Sequence, residues 1–131
     1  MPTFTGTSNN DTINGTAGAD IIEGGAGDDV LNGLDGDDTI TDSSGSDTID
    51  GGAGNDSIVL DRPYSYTSRT IQILGGSGND YVRVNALSDG SMAIDLGSGN
   101  DHLLLLKSPN LNLTLGDGID TRRGNRVPRE G

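Results

Sequence analysis

The sequence predicts an all-β solenoid, a coil of short strands wound around a thin aliphatic core. Three observations predict it. An aspartate recurs every nine residues from Asp11 to Asp56, a branched aliphatic follows each one two positions later, and glycine crowds the residues just before it. A fixed short period marks a repeat architecture, in which each unit buries its apolar face only against its neighbours. Composition agrees: 131 residues hold one Phe, three Tyr and no Trp, too few large side chains for a conventional globular core.

Set in register, the blocks are GTSNNDTIN from Gly6, GTAGADIIE from Gly15, GGAGDDVLN from Gly24, GLDGDDTIT from Gly33, DSSGSDTID from Asp42 and GGAGNDSIV from Gly51. Position six is Asp11, Asp20, Asp29, Asp38, Asp47 and Asp56. Position eight is Ile13, Ile22, Leu31, Ile40, Ile49 and Ile58. Glycine at positions one, two and four is less strict, with Thr7, Asn9, Leu34, Asp42 and Ser43 as departures. The three residues after each turn suit only a short strand whose one inward side chain fills the core.

The turn chemistry points to a hard cation. Glycine permits positive φ and close backbone approach, so a glycine-rich turn can gather carbonyl oxygens around one point, and a carboxylate two residues later adds charge. Calcium takes six to eight oxygens at about 2.3–2.6 Å and tolerates irregular geometry, which suits such a mixed donor set. Of 20 acidic residues only Glu23 and Glu130 are not aspartate, and the net charge is −12. Turn capping alone explains one such aspartate, but not a whole series in register.

These blocks resemble the G-G-x-G-x-D-x-U-x nonapeptide of the RTX, or haemolysin-type calcium-binding, repeat family, strictly over residues 6–59 and loosely over 75–121. The resemblance implies a right-handed parallel β-roll or β-helix, with each nonapeptide half a turn and calcium between stacked turns. It also implies that backbone carbonyls of turn glycines join the ligand set, around Gly18, Gly25, Gly27, Gly36, Gly45, Gly52, Gly54, Gly76, Gly78, Gly97, Gly99, Gly116 and Gly118.

Beyond Asp56 the aspartates recur at Asp80, Asp101 and Asp120, at spacings of 24, 21 and 19 residues, close to two nonapeptides. The coil is therefore expected to continue with one motif per full turn. Asp20, Asp38, Asp56, Asp80, Asp101 and Asp120 then form one long edge, and Asp11, Asp29 and Asp47 a short opposite one. Ions shared between neighbouring turns give about seven calcium sites at most. The expected organisation is one solenoid domain: a two-edged roll over residues 1–59, a one-edged continuation over 60–121, and a basic tail without fixed structure over 122–131. Arg122 stands where an aliphatic belongs, which sets the expected end of the coil. Segments 61–69, 85–91 and 107–110 are read as the turns that replace the lost edge.

Several functions are disfavoured. The single histidine, His102, falls at an outward position, and calcium-bound aspartates cannot serve as acids or bases, so no enzyme is expected. There is no cysteine, hence no disulfide or thiolate site. The negative charge repels phosphates, which argues against nucleic acid, and no apolar run is long enough for membrane insertion. Asp28, Asp35, Asp37 and Asp117 are read as surface charges that tune affinity. Among the non-repeat segments, Asp61 to Thr70, with Tyr64, Tyr66, Arg62 and Arg69, is the best candidate for an interaction surface.

The sequence lacks a basic, apolar start resembling a cleaved signal. The resemblance implies an extracellular, secreted module, expected as a monomer, exported unfolded by type I secretion machinery and folded outside by calcium. Alternatives are an accessory module beside a parent catalytic domain of a protease, lipase or polysaccharide epimerase, and an adhesive or ice-binding solenoid.

Overall fold

The computed structural model describes residues 1–62, 69–86, 90–106 and 110–124. Thirteen strands follow one another: β1 (Thr3–Thr5), β2 (Thr12–Asn14), β3 (Ile21–Glu23), β4 (Val30–Asn32), β5 (Thr39–Asp42), β6 (Thr48–Ala53), β7 (Ser57–Arg62), β8 (Thr70–Ser77), β9 (Tyr81–Ala86), β10 (Ser91–Asp95), β11 (His102–Leu106), β12 (Asn110–Thr114) and β13 (Thr121–Gly124). Odd-numbered strands form one parallel sheet and even-numbered strands the other, each in simple sequence order. Successive strands thus alternate between two facing sheets, the topology of a solenoid. The described residues contain no helix.

The strands form because their inward positions stack. In the odd sheet Phe4, Ile22, Ile40, Ile58, Val82 and Leu103 lie in one column by direct pairing. In the even sheet Ile13, Leu31, Ile49, Ile73, Ile94 and Leu113 do the same. Most of these side chains are fully buried, and each such burial stabilises the stack by about 1.5–3 kcal/mol. The strands lengthen from β6, and from β7 a second column appears: Leu60, Val84 and Leu105 on one side, Ile71 and Met92 on the other.

The second half therefore has a thicker core than the first, and its strands depart from the expected segment bounds in two places. β7 does not end with the repeat. It runs on to Arg62, and its inward residues are Ile58, Leu60 and then Arg62 itself, which is buried. Arg62 is thus a strand residue aimed into the coil, not part of an exposed loop. At the other end, pairing continues past residue 121: β13 lies beside β11 with Arg122 opposite Leu103, and all four of its residues are exposed. Tyr64, Tyr66, Lys107, Arg126 and Arg129 lie outside the described residues.

Candidate metal centre

The turns between strands stack as closely as the strands do. Along one side, the backbone N–H of each position-six aspartate donates to Oδ1 of the aspartate one turn on: Asp20 to Asp38, Asp38 to Asp56, Asp56 to Asp80, Asp80 to Asp101 and Asp101 to Asp120, at 2.8–3.0 Å. Along the other, Asp11 donates to Asp29 and Asp29 to Asp47, at 2.8 and 2.7 Å. The nine aspartates are therefore brought together as a long edge of six and a short edge of three. Asp20, Asp29, Asp38, Asp47, Asp56, Asp80 and Asp101 are buried, whereas Asp11 and Asp120, at ends of the stacks, are half-buried.

This ladder uses one carboxylate oxygen and leaves the other. Oδ2 of Asp29, Asp38, Asp56, Asp80 and Asp101 is buried without a hydrogen-bond partner. Unpartnered buried carboxylate oxygens are costly, so a repeated row of them calls for a cation. Beside Asp29, Asp38, Asp56 and Asp80 the space is kept open by glycine at position one, and of these five blocks only that of Asp101 has a leucine, Leu96, there. A Cβ on Gly51 would meet Asp56 Oδ2 at 2.5 Å and the Gly75 carbonyl oxygen of the next turn at 2.6 Å; one on Gly75 would meet Asp80 Oδ2 at 2.8 Å. Each such cradle pairs a carboxylate oxygen with a carbonyl from the turn above, the mixed oxygen set that calcium accepts.

The sequence matches the model of the RTX calcium-binding nonapeptide repeat, in overlapping and successive segments 5–40, 33–62 and 72–89. The chain belongs to that family. No curated protein and no solved structure matches it. RTX repeats bind calcium, and the donor set of this chain fits that ion: oxygens only, no thiolate, and an anionic row that a divalent charge neutralises.

The electrostatics of the two aspartate edges of this RTX chain point the same way. Burial, partly offset by the hydrogen bond from the neighbouring aspartate's amide, raises the pKa of Asp29, Asp38 and Asp101. For Asp56 and Asp80 the same burial, reinforced by the next carboxylate along the edge, pushes the value up to about 6. A fold without metal therefore favours protons on these oxygens, and calcium relieves what protons otherwise must.

The first turn on each edge is closed differently. Thr7 donates its N–H and its hydroxyl to Asp11 Oδ2, at 2.6 and 2.8 Å. Thr16 does the same for Asp20 Oδ2, at 2.5 and 3.0 Å. Thr7 and Thr16, both at position two of their blocks, thus cap the oxygen that stays unpartnered on Asp29, Asp38, Asp56, Asp80 and Asp101.

Position five forms an outer ladder that pattern reading missed. Asn10 Oδ1 accepts from Asp28 N–H and Asp28 Oδ1 from Ser46 N–H on the short edge. On the long edge the chain of acceptors is Asp37, Asn55, Asn79 and Asn100, each receiving the next turn's amide at 2.8–2.9 Å. Asp28 and Asp37 are thus stacking residues and not merely surface charges; the Asn or Asp preference just before the fixed aspartate was the signal available. Among the glycines expected to lend carbonyls, the Gly76 and Gly97 oxygens each accept the position-three amide of the next turn.

Two further residues at the aspartate edges carry no repeat signature. Asp42, the one acidic residue at position one, is buried with Oδ1 unpartnered, and oxygens of Asp29, Asp42 and Asp47 lie within 4.8 Å of one another. Burial and the adjacent Asp47 push the Asp42 pKa up to about 7. Arg62 bridges Asp42 and Asp47. Period-two alternation through Ile58, Leu60 and Arg62 could have found the arginine. His102 stacks on Tyr81, ring centroids 5.5 Å apart, and meets Thr121 Oγ1 through Nδ1, an outer-face ladder with no catalytic partner in its contacts.

Proposed function

We propose that this chain is a calcium-folded scaffold module of a secreted protein, pliable where calcium is scarce and a rigid coil where it is abundant. The observation that carries this reading is the row of buried, unpartnered Oδ2 atoms on Asp29, Asp38, Asp56, Asp80 and Asp101. We assign calcium ligation to Asp11, Asp20, Asp29, Asp38, Asp47, Asp56, Asp80, Asp101 and Asp120, with turn carbonyls completing each shell. Coupling works through charge: folding without metal crowds carboxylates of a −12 chain into two stacks, so ion binding supplies much of the folding free energy.

Extracellular calcium modules bind in the range of about 10⁻⁴–10⁻³ M, which fits a chain kept unfolded inside the cell and folded after export. The role is structural; an active site, if the parent protein has one, belongs to another domain. A circular dichroism titration with calcium tests this, with magnesium and chelator as references. The expected result is a weak strand signal in chelator that rises cooperatively with calcium and little with magnesium. A full strand signal in chelator, unchanged by calcium, would refute it.

A further inference from the structure

The short edge ends in a way that the long edge does not. Beyond Asp47 no further aspartate continues it, and β7 instead delivers a cation from inside the coil. Arg62 is 5% exposed, and its Nη2 contacts both Asp42 Oδ2 and Asp47 Oδ2, while Nη1 donates to the Gly45 carbonyl at 2.5 Å. A position-six carboxylate and a position-four carbonyl are donors of the kind a calcium ion takes in this fold, and the guanidinium engages both. Asp47 Oδ2, unlike its counterparts on Asp29 and Asp38, is consequently satisfied.

Asp42 connects this arrangement to the ion position next to it. In the other turns, the oxygen from the next turn that lies beside a position-one glycine is a carbonyl, as with Gly51 and Gly75 O. Beside Gly24 it is the Asp42 carboxylate: a Cβ there would meet Asp42 Oδ1 at 2.5 Å and Asp29 Oδ2 at 3.2 Å. Both oxygens are buried and unpartnered, and they face the same space. Asp42 lies level with Leu60 in the adjacent strand, so it occupies an aliphatic column and is turned inward by strand alternation. Charge alternates along the line: Asp29, an ion position, Asp42 with Asp47, then the guanidinium.

We propose that the Arg62 guanidinium is a built-in cation that terminates the short edge in the place of its next calcium, and that it holds Asp42 so that Oδ1 joins Asp29 Oδ2 as an added carboxylate ligand of the last calcium there. This rests on the calcium reading above. It explains how a two-edged roll becomes one-edged without leaving an open, charged turn buried at the junction.

The test is a count of bound calcium by equilibrium dialysis at saturation on the native chain, on Arg62→Met and on Leu60→Ala, a destabilising core truncation beside Asp42 that removes no ligand oxygen. The expected result is one more ion per chain in Arg62→Met than in the native chain, with a higher calcium concentration needed for folding, and a native count for Leu60→Ala. The double variant Asp42→Gly, Arg62→Met, which restores the ordinary repeat glycine, should lose the extra ion. An unchanged or lower count in Arg62→Met overturns the inference, as does failure of that variant to reach the native spectrum at any calcium concentration, since metal then does not replace the guanidinium. A native chain that binds no calcium overturns the calcium reading as well, so the two failures are distinguishable.

Discussion

Replacing Gly97 by alanine inserts one methyl group where the stack has no room for it. Gly97 has φ +87°, and a Cβ there would run into the Gly76 carbonyl oxygen, with the Gly76 carbonyl carbon at 2.8 Å and its nitrogen at 3.0 Å. Those atoms are backbone held by the turn stack, because Gly76 O accepts the Ser98 amide at 2.9 Å. They cannot rotate away as a side chain would. An alanine in the left-handed region costs about 1–2 kcal/mol, and forced overpacking adds about 1–3 kcal/mol. Against these stands a gain of about 0.5–1 kcal/mol from the stiffer unfolded chain.

The net expectation is a loss of about 2–4 kcal/mol, which at a urea slope of about 2 kcal/mol per molar moves the unfolding midpoint down by roughly 1–2 M. Gly18→Ala is the matched control. Its added Cβ meets nothing within 4 Å and its φ is not positive, so the effect should stay within about 0.5 kcal/mol. Urea unfolding of both variants in saturating calcium is the assay. Midpoints that fall equally would refute the claim that tight turn-on-turn stacking, and not glycine content as such, holds the edges.

Other consequences follow from the same geometry. Leu34 holds φ +81° at position two, where Gly25, Gly52 and Gly76 hold comparable angles, and it is largely exposed, so Leu34→Gly should stabilise the calcium-bound fold by about 0.5–1 kcal/mol in the same unfolding assay. Asp56 and Asp80 have folded values near 6 against an ordinary 3.8, so the metal-free fold binds more protons than the unfolded chain between these limits. Its stability is accordingly greatest below about pH 4 and falls as pH rises through about 6; circular dichroism in calcium-free buffer should show more strand signal at about pH 4.5 than at about pH 7.5, and the opposite trend would contradict the assignment. Asp80→Ala, in the middle of the long edge, should cost more bound calcium and more stability than Asp11→Ala, whose carboxylate is half-buried and already capped by Thr7; equal losses in ion count would refute the ordering. Ile49→Ala removes a fully buried column residue and should cost about 2–5 kcal/mol, measurable as a lowered thermal midpoint in calcium.

Much of this architecture was legible in the chain because a repeat converts spacing into position. The fixed nine-residue interval places Asp11, Asp29 and Asp47 on one side and Asp20, Asp38 and Asp56 on the other. The intervals of 24, 21 and 19 residues carry that second row on through Asp80, Asp101 and Asp120, as the amide-to-carboxylate ladder reproduces. Pairing of Ile71 with Met92 and of Ile73 with Ile94 follows equally from alternation. The junction was not legible. Asp42 read as a lapse from glycine and Arg62 as a loop cation, because their meaning depends on an approach between residues 20 apart, where no period applies. The threonine caps on Asp11 and Asp20 were hidden for a related reason: a first turn has no predecessor, so its departures from the motif are adaptations to an end and look like noise in a pattern.

The account's central claim is that the two aspartate stacks are calcium edges. Anomalous scattering from crystals grown in calcium, collected at a long wavelength, would locate the ions directly. The account predicts peaks between successive turns along the Asp20-to-Asp120 stack, a peak beside Asp29 and Asp42 on the short stack, and none at the Arg62 guanidinium. Well-ordered crystals whose anomalous maps are empty along both stacks would contradict it.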